Sequence, residues 1–343
     1  MNYLFIMYPW ERIVPESDSS LRLLHEVASR GYTLGITTAA NLTIRDCLAQ
    51  GFVKVLKKKD KVSRTMTTFY KQAEFDEKMV PLASFDVIFM RANPPLDNLV
   101  LNFLDSVKND VFIINNVEGL REANNKLYTA AFYDPKNEII PATHVSKNKE
   151  YLKKVIREGE SEKMIMKPLN GYGGSGVIVL ERDARSNTNS LLDFYIDGKD
   201  GETNYVIVQD YVEGAELGDV RVLMLHGEPI GAMRRVPADG DARSNISAGG
   251  TIAKHVLTKD EKRLCKIIGN KLVRDGLFFV GLDLIGGKLI EVNVLSPGGI
   301  VNINKLNKVR LQEQVIDYCD DQVLLKNSAT LRREEYRQAL RDA

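Results

Sequence analysis

Three side chains near the C-terminus could hold a metal ion through oxygen atoms: Asp283, Glu291 and Asn293. They interrupt two apolar segments, 278–284 and 288–294, which the pattern predicts to be the strands of a hairpin. An Asp or Glu inside an apolar strand is costly to bury unless it is paired or bound to a metal. Carboxylate and amide oxygens suit Mg²⁺, with phosphate oxygens completing its octahedron. The alternative is a surface hairpin whose polar side chains point outwards.

Whether the three side chains share a face depends on the turn at Gly286 and Gly287. Glu291 and Asn293 are two positions apart, so they point to the same side of a strand. A strict two-residue turn sends Asp283 to the other side, whereas a three-residue loop centred on Gly287 pairs Asp283 with Glu291. We expect the three-residue loop, because it gathers the polar side chains on one face.

A glycine-rich segment with GxGxxG spacing, Gly171, Gly173 and Gly176, could cover phosphate groups. The dinucleotide fingerprint needs a helix after the glycines, but a β-branched run that predicts a strand follows here. No Gly-Lys-Ser/Thr ends the motif, which excludes a Walker A loop, and the HRD and DFG tripeptides of kinases are absent. A glycine hairpin can still bind anions through backbone N–H groups, and Lys167 adds a cation beside it. A plain turn with a solvated lysine is the alternative.

Between these two motifs lies a series of arginines: Arg221, Arg234, Arg235 and Arg243. Guanidinium groups near a triphosphate can stabilise charge that develops on a phosphoryl group or an oxyanion. Arginines on the outer face of a sheet are the commoner case. Together, a lysine beside a phosphate cover, a metal hairpin and an arginine cluster predict ATP-dependent chemistry.

The elements that must position these groups change in character along the chain. The first third alternates apolar runs with amphipathic stretches, which is typical of a parallel βαβ sheet. After Glu118 the pattern predicts a small α+β lid around the glycine loop, followed from Tyr205 by strands interrupted by one helix. We therefore expect an N-terminal α/β domain at 1–117, a lid at 118–204, a C-terminal subdomain at 205–325 and a charged tail at 326–343.

Composition restricts the class of protein. The 343 residues exceed the size at which single cores stop growing, roughly 250 to 300 residues, and a hydrophobic content of 44% indicates a folded chain. Lys plus Arg (47) nearly cancels Asp plus Glu (46), so no global field favours nucleic acid or membrane. Three scattered cysteines, with no signal peptide and no long apolar window, favour a cytoplasmic protein without a membrane partner.

One basic cluster stands apart from these motifs: Lys57, Lys58, Lys59 and Lys61. It invites a nucleic-acid hypothesis, but it lacks interleaved aromatic residues, and charge runs are usually solvated loops. We expect no nucleic-acid partner.

The order of the motifs resembles that of bacterial glutathione synthetases, a family of ATP-grasp ligases. The similarity spans residues 1 to 320 or so. The matching segments are 18–20 (DSS), 85–95 (FDVIFMRANPP), 115–126 (NNVEGLREANNK), 167–176 (KPLNGYGGSG), 218–222 (GDVRV), 235–237 (RVP), 243–250 (RSNISAGG) and 280–297 (VGLDLIGGKLIEVNVLSP).

The resemblance implies an ATP-grasp fold of mixed α/β and α+β class, with a parallel N-terminal substrate domain, a lid and an antiparallel C-terminal subdomain. It implies that MgATP, or MnATP, phosphorylates the carboxylate of γ-glutamylcysteine and that the amine of glycine attacks the acyl phosphate. Phosphorylation is needed because a carboxylate is a poor electrophile. It also implies a homo-oligomer.

When the family's functional residues are transferred by position to this sequence, the resemblance implies four sets of site residues. Arg221 and Arg235 would stabilise the phosphoryl and tetrahedral charges, and Asp283, Glu291 and Asn293 would bind the metal. The ATP-binding set is Lys126, Lys167, Gly171, Tyr172, Gly173, Gly174, Ser175, Gly176, Gln209, Tyr211, Val212 and Asp219. The substrate-binding set is Asp18, Ser20, Arg91, Arg243, Asn245, Ser296, Gly298 and Gly299.

The chain departs from the family pattern at the substrate end. Gly298 and Gly299 follow Ser296-Pro297 where the family usually shows threonine, and Asn93 and Asn170 stand where aspartate is frequent. The Gly298-Gly299 change leaves open the same chemistry on another peptide or amino-acid pair. An alternative of a different class is a nucleotide-binding regulatory protein without turnover.

Overall fold

The computed structural model describes residues 1–59, 61–159, 161–170, 176–181, 187–198, 202–238 and 249–342. Contacts divide the chain into two compact units. Unit 1 comprises Met1–Gly119, Gly276–Phe279 and Gly298–Ala343, and unit 2 comprises Leu120–Asp275 and Val280–Pro297.

The strands within the described residues are β1 (Asn2–Met7), β2 (Thr33–Thr37), β3 (Leu42–Arg45), β4 (Leu48–Leu56), β5 (Phe75–Pro81), β6 (Val87–Arg91), β7 (Phe112–Ile114), β8 (Thr143–Ser146), β9 (Lys163–Pro168), β10 (Ile178–Glu181), β11 (Val206–Asp210), β12 (Asp219–Leu225), β13 (Glu228–Val236), β14 (Thr251–Lys254), β15 (Phe279–Ile285) and β16 (Lys288–Asn293). The α-helices are α1 (Ser19–Ser29), α2 (Met66–Gln72), α3 (Asn98–Asp105), α4 (Val117–Ala123), α5 (Leu127–Ala130), α6 (Lys149–Glu158), α7 (Thr188–Ile196), α8 (Lys259–Arg274), α9 (Ile300–Asn307) and α10 (Leu311–Asp342). Short 3₁₀ turns lie at Trp10–Arg12, Ala39–Asn41, Leu82–Ser84 and Ala215–Leu217.

Unit 1 is built on a sheet with strand order β3-β4-β2-β1-β6-β7, and β5 pairs with β4. Strands β2, β1, β6 and β7 are parallel, as the sequence predicts. Leu4, Phe5 and Ile6 of β1 have no exposed surface, which is typical of a parallel strand covered on both faces. The N-terminus of α1 is capped by Asp18, whose carboxylate accepts from the Leu21 N–H at 2.7 Å.

One edge of this sheet differs from the predicted parallel βαβ pattern. Strand β4 runs antiparallel to β2, β3 and β5. The reason is a tight turn between β3 and β4, in which Asp46 and Cys47 both have positive φ, 51° and 64°. A two-residue turn of this kind reverses the chain, whereas a parallel connection needs a crossover of a dozen or more residues.

Unit 2 contains two sheets, with strand orders β10-β9-β11-β8 and β14-β13-β12-β15-β16. Strands β9 and β10 are antiparallel and pair Met166 with Ile178, so the glycine segment lies between strands, as predicted. The core under this first sheet includes Leu152 and Ile156 of α6 together with Leu192 of α7.

The predicted acidic hairpin is β15 and β16, and it pairs Asp283 with Glu291 as expected. The predicted three-residue loop is wrong. Ile285 pairs with Lys288, so the turn contains only Gly286 and Gly287, with φ of 53° and 76°. An irregularity between Asp283 and Leu284 shifts the register by one residue, because a β-bulge places two residues of one strand opposite one of the other. The bulge therefore gives the pairing that the longer loop was expected to give.

The C-terminal helix α10 is much longer than the charged tail predicted at 326–343. It has 32 residues, of which Val315, Ile316 and Cys319 are fully buried in unit 1. From residue 324 onwards its described side chains are mostly exposed. None of the described helices combines the length and the apolar character needed to cross a bilayer.

Candidate active site

Four charged side chains of unit 2 form a buried cluster, here called the arginine–carboxylate network: Asp219, Arg221, Arg235 and Asp283. Asp219 and Arg221 are two apart on β12 and share one face, and Asp219 lies directly opposite Arg235 on β13. Arg235 donates to both carboxylate oxygens of Asp219 at 2.6 Å. Arg221 binds Asp283 in the same two-point manner, at 2.5 and 3.0 Å. Arg235 also lies 2.9 Å from Asp283, which links the two pairs.

All four residues are at least 93% buried, so their charges must be balanced locally. Burial alone would raise the pKa of Asp283, but Arg221 and Arg235 hold it well below its ordinary value. Burial likewise acts to lower the pKa of Arg235, but Asp283 and Asp219 raise it above the usual range. Asp283 and Arg235 are therefore ionised at neutral pH, and the carboxylates hold both guanidinium groups of the network in fixed positions in a dry environment.

The predicted metal ligands lie on the same hairpin as one member of this network. Glu291 is opposite Asp283 in the register, and the Asn293 side-chain amide donates to Asp283 Oδ2 at 3.2 Å. Glu291 also forms an ion pair with Lys126, with 3.3 Å between Oε1 and Nζ. Two carboxylates and one amide on one face match the oxygen ligands that Mg²⁺ prefers. No group of three or more His, Cys, Asp or Glu side chains suited to a metal occurs among the described residues.

Lys167, predicted to contact phosphate, lies on β9 and is 7% exposed. Its Nζ donates to Gln209 Oε1 at 3.0 Å, and Gln209 Nε2 in turn donates to the Thr143 hydroxyl at 2.7 Å. Burial, and then Lys126, lower the pKa of Lys167 to about 8, against the opposing effect of Glu291 and Asp283. The charged form of a desolvated ammonium group is stabilised when a polyanion binds, because the ligand supplies a counter-charge.

A small cleft joins the two predicted phosphate lysines. The resemblance implies adenine contacts at Gln209, Tyr211 and Val212. These residues lie at the end of β11 and just after it, and β11 belongs to the same sheet as β9, which carries Lys167. The cleft is lined by Lys126, Thr129, Ala130, Ile140, Thr143, Lys167, Ile207, Gln209 and Ile290.

Of the predicted glycine cover, Gly176 is the described residue. It has a φ of 69°, and an added Cβ would lie 3.1 Å from the Pro168 ring. Its carbonyl accepts from the Tyr195 hydroxyl at 2.7 Å, which fixes the end of the segment on α7. The remaining predicted residues of the cover and two of the substrate set lie outside the described residues: Gly171, Tyr172, Gly173, Gly174, Ser175, Arg243 and Asn245.

The substrate residues predicted near the N-terminus form a second cluster, in unit 1. Arg91, at the end of β6, is 1% exposed, and its Nε donates to the Ser20 hydroxyl at 3.0 Å. Asp18 accepts from the Tyr8 hydroxyl as well as capping α1. Burial lowers the pKa of Arg91, and Tyr8 and Asp18 oppose this only in part.

The Gly298-Gly299 departure also lies in unit 1. Gly299 precedes α9 with a φ of 126°, and its N–H donates to Ser19 Oγ at 3.0 Å, as does that of Ile300 at 3.2 Å. The Gly299 amide, which the sequence suggested as a substrate contact, therefore binds the protein itself. Ser296 is half-buried and belongs to unit 2.

Three residues of these clusters are absent from the predicted sets of site residues, although two of them, Tyr8 and Ser19, lie in the 8–20 loop that follows the first predicted strand. The Tyr8 hydroxyl donates to Asp18, and Ser19 Oγ accepts from the Gly299 N–H at the start of α9. The Thr143 hydroxyl accepts from the side-chain amide of Gln209. Ser19 stands inside the DSS motif and Tyr8 just after β1, so position alone could have suggested both. Thr143 gives no such signal, because its role depends on β8 pairing with β11.

Comparison with known proteins identifies the family. Models of the prokaryotic glutathione synthetase match residues 1–121 as its N-terminal domain and residues 125–308 as its ATP-grasp domain. A glutathione synthetase of Gloeobacter violaceus is 35% identical over 328 residues, which cover 93% of this chain and 96% of that protein.

Solved structures show the same fold. D-cycloserine synthetase DcsG superposes with a TM-score of 0.61 at 14% identity, covering 93% of this chain and 100% of that one. D-alanyl-alanine synthetase A from Vibrio cholerae gives a TM-score of 0.58 at 10% identity, covering 94% and 98%. The chain therefore has an ATP-grasp fold, belongs to the prokaryotic glutathione synthetase family and is an ATP-dependent carboxylate–amine ligase.

Proposed function

We propose that the chain joins γ-glutamylcysteine to glycine through an acyl phosphate, with the two clusters dividing the work. Unit 2 carries the groups for ATP and for charge stabilisation, and unit 1 carries the contacts for the peptide substrate. The observation that supports this division most strongly is the arginine–carboxylate network, which holds two guanidinium groups in fixed, buried positions.

Preorganised positive charge suits this reaction. Negative charge develops on the phosphoryl group when the carboxylate attacks, and on the tetrahedral centre when the amine attacks the acyl phosphate. Guanidinium groups held in place by carboxylates need no reorganisation at that moment, which is the main source of electrostatic catalysis. Lys126 and Lys167 would neutralise phosphate oxygens of ATP.

The residues present fit a magnesium ion. Glu291, Asn293 and Asp283 would hold it, since they offer carboxylate and amide oxygens on one face of the hairpin. Asp283 Oδ2 already accepts from Arg221, Arg235 and Asn293, so Glu291 is the more accessible carboxylate. When bound, the ion would neutralise phosphate charge and orient the transferred phosphoryl group.

The test of the proposed function is phosphate release from MgATP with γ-glutamylcysteine, with and without glycine, followed by mass analysis of the product. We expect glycine-dependent release and a product of the mass of glutathione. Turnover with a different acid and amine, but not with this pair, would contradict the substrate assignment and point to the Gly298-Gly299 departure as the cause.

A separate test addresses the metal ligands. Glu291→Gln keeps the side-chain volume and removes the charge, so we expect Mg²⁺-dependent turnover to fall on the order of 10²-fold while the fold survives. Glu313→Gln on α10 serves as the control with the same chemical change. Unchanged turnover in Glu291→Gln would exclude this residue as a metal ligand.

A further inference from the structure

A pocket in unit 1, separate from both clusters, combines an apolar interior with a rim of lysines. It has a volume of about 100 Å³, and its walls come from the end of α1, the segment between β4 and α2, and α2 itself. The apolar lining includes Ala28, Leu56, Val62 and Phe69. An apolar cavity of about 150 Å³ accommodates benzene, so this pocket, at two-thirds of that volume, suits a short branched chain or a single ring that enters only in part.

The rim is the basic cluster Lys57, Lys58, Lys59 and Lys61, to which the family resemblance assigns no role. Lys59 Nζ lies 2.9 Å from the Glu74 carboxylate, and Lys57 Nζ lies 3.5 Å from that of Asp76. Lys58 and Lys61 also line the pocket, and neither forms an ion pair with another side chain in the described part of the chain. Two cations beside an apolar recess attract a ligand whose negative charge is attached to an apolar body.

The wall that carries these lysines is held by specific contacts. A hydrogen bond of 2.6 Å joins the buried His25 Nε2 on α1 to the Ser63 carbonyl, and the His25 ring packs edge-on against Phe69. At the other end, the Lys57 N–H donates to the Glu74 carbonyl at 2.8 Å. The pocket is therefore preformed, which reduces the entropy that binding costs.

We propose that this pocket binds a small amphiphilic anion, with its acid group between Lys58 and Lys61 and its ring or short chain against Phe69 and Leu56. The ligand class is an organic acid or phosphate monoester built on one ring or a short aliphatic chain. A polyanion such as RNA fits less well, because Lys57 and Lys59 are already paired with acidic side chains.

The experiment is calorimetric titration of the full chain, with a non-hydrolysable ATP analogue filling the nucleotide site. Phenyl phosphate and phenylacetate are the probes, inorganic phosphate tests charge alone, and benzyl alcohol tests the ring alone. We expect at least one of the two probes to bind, and both partial ligands to bind roughly tenfold or more weakly. The relative affinity of the two probes distinguishes a phosphate ester from an organic acid.

Variants locate the binding. Lys58→Glu combined with Lys61→Glu should weaken probe binding by roughly tenfold, and Leu56→Asn should weaken it without a change of charge. Lys262→Glu combined with Lys266→Glu makes the same charge change on the exposed face of α8 and should leave the affinity unchanged. Retained affinity in the Lys58/Lys61 variant, equal binding of inorganic phosphate, no binding of either probe, or RNA binding that the probes do not displace would each overturn the proposal.

Discussion

Each unit buries arginine in its charged cluster, but the two units balance that charge differently. In unit 2, Arg235 is bound at two points by Asp219 and also contacts Asp283, and its pKa stays above the ordinary value despite burial. In unit 1, Arg91 is equally buried and donates to the Ser20 hydroxyl, and burial leaves its pKa below the ordinary value.

The difference suggests two uses of a buried guanidinium group. Where carboxylates balance the charge, the arginine is fixed before any ligand arrives, which favours stabilisation of a transition state. Where the balance is incomplete, an incoming anion recovers part of the desolvation cost, which favours substrate binding. We therefore expect unit 2 to determine the rate and unit 1 to determine the affinity for the acid substrate.

The largest expected effect is on stability. Asp283→Ala leaves two buried guanidinium groups without their shared carboxylate, so the free energy of unfolding should fall by about 3–5 kcal/mol. Asp18→Ala removes a helix cap in unit 1 and should cost about 0.5–2 kcal/mol. Urea unfolding followed by circular dichroism measures both. Asp321→Ala on the exposed side of α10 is the control, and equal losses for Asp283 and Asp18 would remove the distinction between the units.

Next in size are the kinetic effects of the two arginines. Arg235→Ala should lower turnover by about 10²–10³-fold with a smaller change in ATP affinity. Arg91→Ala should raise KM for γ-glutamylcysteine while turnover at saturation stays close to the wild-type value. Initial rates of phosphate release over both substrates separate the two patterns. Arg235→Lys retains the charge, so partial recovery of turnover is expected. A parallel loss of turnover and ATP affinity in Arg235→Ala would make that arginine a binding residue.

The sequence predicted which residues belong to these clusters better than it predicted which residues they contact. Asp219, Arg221, Arg235 and Asp283 were all expected in the site, but nothing in the chain indicates that Arg221 binds an aspartate 62 residues away. That pairing depends on the order of β13, β12 and β15 within the sheet, which local pattern does not determine. The assigned roles of these residues stay predictions.

The same limit applies to the prediction of the strands and helices. Periodicity gave the parallel core of unit 1 and the two predicted antiparallel pairs of unit 2, β9 with β10 and β15 with β16, because apolar runs and glycines act over a few residues. The bulge near Asp283 was missed because it depends on how neighbouring strands pair. The antiparallel course of β4 was missed because the tight turn at Asp46 and Cys47 contains no glycine that would mark it in the sequence. The buried first half of α10 was missed as well, because its partners include α1, which lies far away in the sequence.

A titration can sharpen the comparison between the units, because Lys167 of unit 2 is a desolvated cation that can lose its proton. Below pH 8 the folded protein carries the full cost of the buried charge. Between pH 8 and 10.5 the unfolded chain holds a proton that the folded one has lost, so stability rises with pH by up to about 3 kcal/mol.

The measurement is urea unfolding of the wild type and of Lys167→Met from pH 7.5 to 9.5. Lys167→Met should be more stable near neutral pH, and its advantage should shrink as the pH rises. Arg91→Met is the matched comparison in unit 1. Since arginine keeps its proton throughout this range, the stability difference in that variant should not depend on pH. A pH-independent difference for Lys167→Met would show that the lysine is already well solvated or paired.

The smallest expected effect concerns the hydroxyl of Tyr8, which donates to Asp18 beside Arg91. Tyr8→Phe should cost about 0.5–1.5 kcal/mol of stability, as for a typical hydrogen bond. Tyr32→Phe is the matched control, because Tyr32 also donates to a carboxylate of unit 1, Asp320, at 2.9 Å. If Arg91 and Asp18 contact the acid substrate, only Tyr8→Phe should change KM for γ-glutamylcysteine, and neither variant should change KM for ATP. An equal change in both variants would mean that the Tyr8 contact supports the fold of unit 1 and has no specific part in substrate binding.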